Sequence, residues 1–571
     1  MGPWSGRSCY NSRVVRRLAV LLVVSLAACG RSASDGHSAQ EDTGPTLVLL
    51  NAKIFTADRA RPYAQAVAIR NGRFSAVGTS ADIGPLVTSA TRVIDVGQRL
   101  VVPGLIEAHA HFDLSLPGRS MLSFDLPYPG ANPDQTLTDV EAAVNVGPGW
   151  IHGTTDAVFE DLRNWRHALD AVAPANPVLL AGWAGHTAIL NSRALEVLGI
   201  AETVTDPIGG HWGRDRTGRL DGRADEAAAV TVLRRVMAPD LTVEGEAQNL
   251  RRAAAVYTGW GVTTVHHMAD ELPLASIHAA IERARLPLKW TVYAWGLPEA
   301  TIGEAWQEVD SDAGPWPSRT RLGGSKWILD GSPFERGAFL LEDYSDRPGW
   351  RGRSNYTEAQ LREILSGALT SRHQLAVHAV GDAEIDMVLR LMRELAPPVR
   401  WRGVRVRIEH GEGLFGNRLA LAAELGAVVD QQPIHLMTVN DERGSPIQEH
   451  RWGARAARFA PLRSLLVAGV PLALSSDANG AEAAANPFLN IMIAVSYPRR
   501  PNEALTREQA LTAYTMGGAY AERQEAQKGR IARGMAADLA VLSQDVLTVA
   551  LDSLPATRSL LTVVDGTVVL T

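Results

Sequence analysis

Two histidines lie at positions i and i+2 directly after an apolar run, in the stretch Val101-Val-Pro-Gly-Leu-Ile-Glu-Ala-His109-Ala-His111. Side chains alternate between the two faces of a β-strand, so both imidazoles of such a strand point the same way. Two histidines held on one face at the end of a strand are suitable ligands for a divalent metal ion. The pair therefore indicates a metal site, with two surface or core histidines as the alternative interpretation.

The same kinds of residue lie in or after other apolar runs, namely Lys326, His378, His410 and Asp477. Three of them have a specific structural alternative: Lys326 as an ion-pair partner, His378 as a hydrogen-bonded core histidine, and Asp477 as a turn residue or helix cap. Buried strand ends normally carry apolar or small side chains unless a site requires others. Because those alternatives do not explain the recurrence of such residues along the chain, we favour one shared site.

The elements that must position these residues are eight apolar runs, several of them separated by helical patterns. This alternation is typical of an α/β protein with a (β/α)8 TIM barrel, whose active site lies at the carboxyl ends of the strands. The predicted strands end at His111 or span 262–267, 288–294, 325–330, 374–378, 404–410, 427–432 and 471–477. The segment between the first two strands is too long for one crossover helix, so residues 115–251 or so are predicted to form an inserted lid subdomain.

Short strands separated by turn residues occupy both ends of the chain, at 46–102 and 528–571. Asn71-Gly72 is a strong signal for a hairpin turn, and Asp565-Gly566 repeats it near the C-terminus. The simplest interpretation is a small β-sandwich domain built from both termini, with the barrel domain, 103–527, inserted in it.

Composition narrows the possible chemistry. The chain has 571 residues, 46% of them hydrophobic, and a net charge of −6, which gives no reason to propose nucleic acid as a partner. The two cysteines are Cys9 and Cys29. The remainder of the chain therefore has no thiol ligand or nucleophile, and a metal site in it must use His, Asp, Glu or Lys.

The N-terminal segment predicts export. Arg13, Arg16 and Arg17 precede an apolar stretch, 18–28, that is too short to span a membrane as a mature helix. It ends in Leu26-Ala-Ala-Cys29-Gly30, which resembles the lipobox of bacterial lipoproteins. The resemblance implies a signal peptide at 1–28, lipidation of Cys29, a flexible tether at 29–45, and anchoring in the bacterial cell envelope at the periplasmic face of the outer membrane. A plain cleaved signal peptide is the alternative.

From about residue 46 onward, the chain resembles the amidohydrolase superfamily, most closely its amidohydrolase 3 branch. The motifs that carry the resemblance are Pro103-Gly-Leu-Ile-Glu-Ala-His-Ala-His111, His378-Ala-Val-Gly-Asp382, Arg407-Ile-Glu-His410 and Ser475-Ser-Asp477. The branch includes proteins similar to N-substituted formamide deformylase and to YtcJ.

The resemblance implies a role for each residue. His109 and His111 would bind the more buried metal, and His378 and His410 the second. Lys326, carboxylated by carbon dioxide, would bridge the two. Asp477 would ligate a metal and act as general base and acid. Zinc is the expected ion, and a single-metal site in which Lys326 stays unmodified and points elsewhere is the alternative.

Two residues of the predicted lid, His186 and Glu226, are expected to face the substrate. Their structural alternatives are a helix cap for His186 and a salt bridge for Glu226. The predicted activity is hydrolysis of a C–N bond in a small amide, formamide or cyclic amide by metal-activated water. The alternatives are an esterase, phosphoesterase or isomerase of the same superfamily, and a surface-tethered binding lipoprotein without catalysis.

Overall fold

A computed structural model describes residues 44–112, 133–154, 164–182, 185–237, 242–269, 272–296, 300–312, 314–436, 447–479 and 483–571. The predicted signal peptide, Cys29 and nearly all of the predicted tether lie outside these residues, as do positions 115–132, 155–163, 183–184 and 238–241 of the predicted lid. Within the described ranges, none of the helices combines the length and the apolar character that crossing a bilayer requires.

A closed parallel sheet with eight strand positions forms the centre of the fold. Barrel strands one to seven are Leu105–His111, Val262–Ala269, Lys289–Trp295, Thr320–Ile328, Gln374–Ala379, Arg407–His410 and Val428–Gln431, and barrel strand eight consists of Leu472–Leu474 and Ala478–Asn479. The sheet closes because strand eight pairs with strand seven through Leu472 and with strand one through Ala478. The TIM-like barrel predicted from the sequence is therefore present.

Helices follow most of the barrel strands. They are Val243–Gly259, Leu274–Ala284, Ile302–Ser311, Glu358–Thr370, Asp382–Leu395, Pro398–Val404, Asn417–Leu425, Ile447–Trp452, Leu462–Ala468, Pro487–Ser496, Arg507–Thr512 and Gly518–Ala521. Leu361 and Leu389 on these helices share one apolar core with Trp290 of strand three. Strands four and five approach so closely that a Cβ on Gly324 would lie 1.9 Å from the carbonyl oxygen of Gln374. Glycine is therefore required there.

The insertion between barrel strands one and two contains a five-stranded sheet. Its strands are Ile151–Thr154, Val178–Ala181, Thr187–Leu190, Gly210–Arg214 and Leu220–Glu226, and its helices are Pro133–Val144, Trp165–Val172, Ser192–Val197 and Ala227–Met237. The last two strands form an antiparallel hairpin. The hairpin ends at Glu226, which is buried.

Two further sheets are built from the ends of the described chain. A four-stranded sheet contains Leu47–Leu50, Ala66–Arg70, Arg73–Gly78 and Arg92–Asp95, and a six-stranded sheet contains Lys53–Phe55, Tyr63–Ala64, Leu100–Pro103, Leu539–Leu542, Ser559–Val564 and Thr567–Leu570. Leu49, Ile69, Val101, Leu539 and Val563 belong to one shared apolar core. Strands from both ends thus pair in one sheet and pack on common residues.

Candidate active site

Three side chains from barrel strands one and eight form the centre of the candidate site. His109 Nε2 and His111 Nε2 lie 3.3 Å apart. Asp477 Oδ1 is 3.2 Å from His109 Nε2 and 3.1 Å from His111 Nε2. The backbone N–H of Asp477 donates to the carbonyl oxygen of His109 at 2.9 Å, which joins the two strands at this point. The chain thus brings together residues that are more than three hundred positions apart.

Lys326 reaches the same centre from barrel strand four. Its Nζ lies 3.3 Å from His109 Nε2, and the residue is 2% exposed. A lysine ammonium at this place would repel a dication strongly, because the surrounding protein screens charge poorly. If a metal ion binds here, the lysine must therefore be modified or its side chain must move.

His378 and His410 extend the set from barrel strands five and six. Their ring centres are 4.4 Å apart, and His410 Nδ1 lies 3.9 Å from Asp477 Oδ2. His378 Nε2 is buried and has no hydrogen-bond partner among the residues that the structure describes, although Asp330 Oδ1 lies 3.7 Å from it. All six side chains named as metal ligands in the sequence analysis therefore lie around one point.

The site electrostatics favour neutral imidazoles around a charged carboxylate. Burial, helped by the charge of Lys326, lowers the pKa of His109 to about 4. Burial also lowers the pKa values of His378 and His410 well below the ordinary histidine value. Burial alone would raise the pKa of Asp477, but the surrounding histidines outweigh it and hold that pKa well below its usual range. Neutral imidazole and carboxylate are the protonation states that bind divalent metal ions.

The spacing of the donor atoms also fits a metal ion. A tetrahedral zinc ion with bonds near 2.1 Å separates its ligand atoms by roughly 3.4 Å. The donor atoms of His109, His111 and Asp477 are 3.1 to 3.3 Å apart. His378 Nε2 also lacks a hydrogen-bond partner within the described part of the chain. Both observations show that the residues present suit a divalent cation.

Three polar residues of the site have left-handed backbone conformations. The φ angles are 68° at His410, 56° at Asp477 and 54° at Glu226. Residues other than glycine adopt such angles at a cost, and they concentrate where a side chain must be aimed at a functional point. Each of the three lies at or just past the end of a strand, so the strained residue turns the chain as it leaves the sheet.

A buried salt bridge orients His109 from behind. Glu409 Oε2 accepts a hydrogen bond from His109 Nδ1 at 2.7 Å, which leaves Nε2 directed at the site. Arg407 donates to both oxygens of the same carboxylate, at 2.8 and 3.1 Å, and holds the pKa of Glu409 well below its ordinary value against the effect of burial. The sequence motif contained both residues, but a carboxylate that faces another strand gives no local signal of its role.

A second buried carboxylate supports Asp477. Glu107 Oε1 accepts hydrogen bonds from the backbone N–H of Ser476 at 2.7 Å and from its hydroxyl at 3.1 Å. These contacts fix the residue directly before the strained Asp477. Glu107 lies in the motif Pro103–His111, two residues before His109. Its role nevertheless depends on contact with Ser476, more than 350 positions away.

His186, which is partly exposed, pairs with the buried Glu226. His186 Nδ1 lies 2.9 Å from Glu226 Oε2, and the His186 ring centre is 4.7 Å from that of His378. Burial would lower the pKa of His186, but Glu226 raises it to about 9. Burial in turn raises the pKa of Glu226 against the attraction of His186. Glu226 thus forms an ion pair, which was the structural alternative to a substrate-facing role. Its partner, however, is His186, which was also expected to face the substrate.

His435 is a site residue that the sequence analysis missed. It lies in the short helix Pro433–Leu436 after barrel strand seven, and its Nε2 is 3.6 Å from Asp477 Oδ2. Its ring stacks on His410 with centres 5.8 Å apart, while Gln432 Oε1 lies 2.8 Å from His410 Nδ1. The sequence feature that could have indicated His435 is its position as a polar residue just past the end of a barrel strand.

Comparison with known proteins adds independent observations. The profile of the Amidohydrolase family matches residues 92–570. The chain is 27% identical to N-substituted formamide deformylase of Arthrobacter pascens over 91% of this chain and 97% of that protein, and 26% identical to the putative amidohydrolase YtcJ of Bacillus subtilis over 84% and 90%. The crystal structure of an uncharacterized metal-dependent hydrolase from Pyrococcus horikoshii has the same fold, with a TM-score of 0.66 and 22% identity over 89% of this chain and 99% of that one.

Proposed function

The chain belongs to the amidohydrolase family, and from this premise we propose that it is a metal-dependent hydrolase of C–N bonds in amides, formamides or cyclic amides. The observation that carries the proposal is the convergence of His109, His111 and Asp477 within 3.3 Å of one another at the carboxyl ends of the barrel strands. The similarity to a protein named for deformylation of N-substituted formamides supports the choice of bond.

The residues that would hold the metal ions are divided between two positions. His109 and His111 would bind one ion, His378 and His410 a second, and Asp477 would contribute its carboxylate. We propose zinc, because its usual ligands in proteins are these imidazole and carboxylate groups. Four neutral imidazoles cannot balance two dications, so a carboxylated Lys326 would supply the further negative charge that the site needs.

A bound divalent cation supplies two effects, acidification of a water molecule and polarisation of the scissile carbonyl. The chain's own contribution is proton transfer by Asp477, which takes the proton from the attacking water and delivers it to the leaving nitrogen. Glu107, through Ser476, and the His109 backbone hold Asp477 in its strained conformation for both steps. His186, braced by Glu226, would contact the substrate from the lid.

The cellular location is a separate proposal. The lipobox-like sequence that ends at Cys29 supports export and lipid anchoring in the cell envelope, with several acyl chains giving stable attachment. In a bacterial host, the Cys29→Ala protein should move from the membrane fraction to the soluble periplasmic fraction. Equal membrane association of both proteins would contradict the anchor.

The activity test uses the zinc-loaded chain from residue 44 onward and a panel of amides, formamides, lactams and N-acyl amino acids, with esters and phosphoesters beside them. We expect turnover of at least one C–N substrate and its loss after metal removal. Preferential cleavage of esters or phosphoesters would show that the protein acts on those bonds rather than on C–N bonds. Binding of panel compounds without turnover of any of them would favour a non-catalytic binding protein.

A further inference from the structure

We propose that the cavity beside His435 binds an apolar, preferably aromatic, part of the substrate that carries an amine or ammonium group, and that Glu412 accepts the hydrogen bond of this group. The inference rests on the proposed function and narrows its substrate class. It depends on three features of the cavity, namely its position, its lining and the hydrogen bonding of its charged residues.

The cavity lies next to the candidate active site. His435 lines it, and His435 Nε2 lies 3.6 Å from Asp477 Oδ2. The volume is about 450 Å³, which accommodates a substituted aromatic ring. A substrate whose reacting carbon lies near Asp477 would therefore extend its larger group past His435 into this space.

The lining of the cavity is mainly apolar. Its apolar residues include Phe334, Leu436, Trp452, Phe459 and Tyr497. Trp452 and Phe459 stack with ring centres 4.0 Å apart and ring planes 16° from parallel, so this part of the wall is fixed in shape. Such a wall favours flat or branched hydrocarbon groups, because binding removes their apolar surface from water.

The charged residues of the cavity differ in whether they have a close partner of opposite charge. Arg499 donates to Glu449 at 2.7 Å, and Arg500 lies 3.5 Å from Glu503. Glu412 differs: Oε1 is 3.9 Å from His435 Nδ1, and the buried Oε2 has no hydrogen-bond partner within the described part of the chain. An unpaired buried carboxylate oxygen is costly, and an N–H donor from the ligand would satisfy it. The cavity therefore selects for a donor, and its arginines already have acidic partners.

The recess beside His186 has a different character. It is lined by His186, Glu226, Arg223, Asp225 and Arg353 among others, and its volume is only about 20 Å³. A recess of that size accepts little more than one water molecule or a very small substituent. The bulky part of the substrate is therefore assigned to the cavity beside His435.

The test measures binding of three probes of equal length to the zinc-loaded protein by calorimetry: phenylpropylamine, phenylpropanol and phenylpropanoate. We expect the amine to bind about tenfold more tightly than the alcohol, since a charge-assisted hydrogen bond to Glu412 adds to the apolar contact, and the carboxylate to bind most weakly. Glu412→Gln should remove the preference for the amine. Glu449→Gln, on the same cavity wall but paired with Arg499, should retain it.

A second experiment fills the cavity with a larger side chain. Ala454 lines the cavity and is exposed, so Ala454→Trp should fold and weaken the amine and the alcohol alike by about tenfold, whereas Val467→Trp on an exposed helix position outside the cavity should change neither. An unchanged amine preference in Glu412→Gln, unchanged affinities in Ala454→Trp, or no binding of any probe would overturn the inference. Failure of the proposed function would instead appear as absent amide hydrolysis with probe binding intact.

Discussion

Two buried polar clusters in the same barrel differ in how their charges are satisfied. The first, here called the metal cluster, consists of His109, His111, Lys326, His378, His410 and Asp477 at the carboxyl ends of the strands. The second, the salt-bridge cluster, consists of His266, Thr291, Arg321, Glu522 and Lys528. Each cluster has a fully buried member, Glu522 in the second and His109 in the first.

In the salt-bridge cluster, four side chains contact one carboxylate. Glu522 Oε1 lies 2.6 Å from Lys528 Nζ and 3.1 Å from His266 Nε2. Its Oε2 lies 3.2 Å from Arg321 Nη1 and accepts a hydrogen bond from Thr291 at 2.7 Å. Positively charged side chains face this carboxylate, and Thr291 and Arg321 donate hydrogen bonds to its Oε2. Close cations and hydrogen bonds are what make a buried carboxylate tolerable.

In the metal cluster, by contrast, nitrogen and oxygen atoms with lone pairs lie about 3 Å from one another. One carboxylate, that of Asp477, is shared by several imidazoles. Such an arrangement is unfavourable unless a cation completes it, so the fold must hold it in place by other means. Arg407 links the two clusters, because it donates to Glu409 behind His109 and also lies 3.0 Å from His266 Nδ1. We therefore expect the salt-bridge cluster, whose carboxylate faces the chain's own cations, to stabilise the barrel, and the metal cluster to be completed by an ion.

The largest expected effect comes from the carboxylate of the metal cluster. Asp477→Asn keeps the shape of the side chain but removes its ability to take up a proton, so kcat/KM should fall by about a thousandfold or more while most of the metal is retained. Steady-state kinetics and metal analysis of the same sample would measure both. A variant that keeps activity within about tenfold of the wild type would remove Asp477 from the proton-transfer role.

The next effect concerns stability. Lys528→Met should lower the free energy of unfolding by about 3 kcal/mol, because it leaves a buried carboxylate without its nearest cation. Metal content and turnover at low temperature should remain unchanged. Thermal and denaturant unfolding measure the loss, and reduced metal content in the folded variant would show that the two clusters are not separable in this way.

The stability loss in Lys528→Met should also depend on pH. Lys528, His266 and Arg321 outweigh burial and hold the pKa of Glu522 well below its ordinary value of 4.5. A lowered carboxyl pKa contributes stability that is present above pH 4.5 and is lost as the pH falls through the folded-state pKa. The difference in stability between the wild type and Lys528→Met should therefore shrink on acidification below that pH, and a difference that grew would contradict the assignment.

Lys326→Ala tests whether the lysine belongs to the metal cluster as a ligand. We expect metal affinity to fall by about ten- to a hundredfold, and short carboxylic acids added with the metal to restore part of it. Lys53→Ala, at a half-exposed lysine that pairs with Asp545, is the matched control and should bind metal normally. Unchanged stoichiometry and turnover in Lys326→Ala would establish the single-metal alternative.

The smallest expected effect lies in the lid. His186→Ala should lower kcat/KM by about tenfold through lost substrate contact, with metal content unchanged. Because Glu226 braces His186, Glu226→Gln should produce a decrease in the same direction, and the double variant should add little to either. Loss of bound metal in His186→Ala would instead make this histidine a ligand.

The sequence predicted the barrel and its polar strand ends because both depend on local patterns, namely apolar runs and the residue that follows each. Glu409 and Glu107 were visible within the quoted motifs, but their partners lie on other strands, so their roles require the closed sheet. The pairing of His186 with Glu226 spans forty positions across an inserted sheet. His435 and Glu412 follow strand ends without a repeated motif, and only the folded chain relates them to Asp477.

The most direct test of the account is metal dependence of C–N hydrolysis by the same protein sample. The zinc-loaded protein should hydrolyse an amide or formamide substrate, lose the activity after treatment with a chelator, and regain it when zinc is returned, with bound metal following activity at each step. The salt-bridge cluster should keep the stripped protein folded throughout. Metal-free protein that turns over the substrate as fast as the zinc-loaded protein would contradict the central claim.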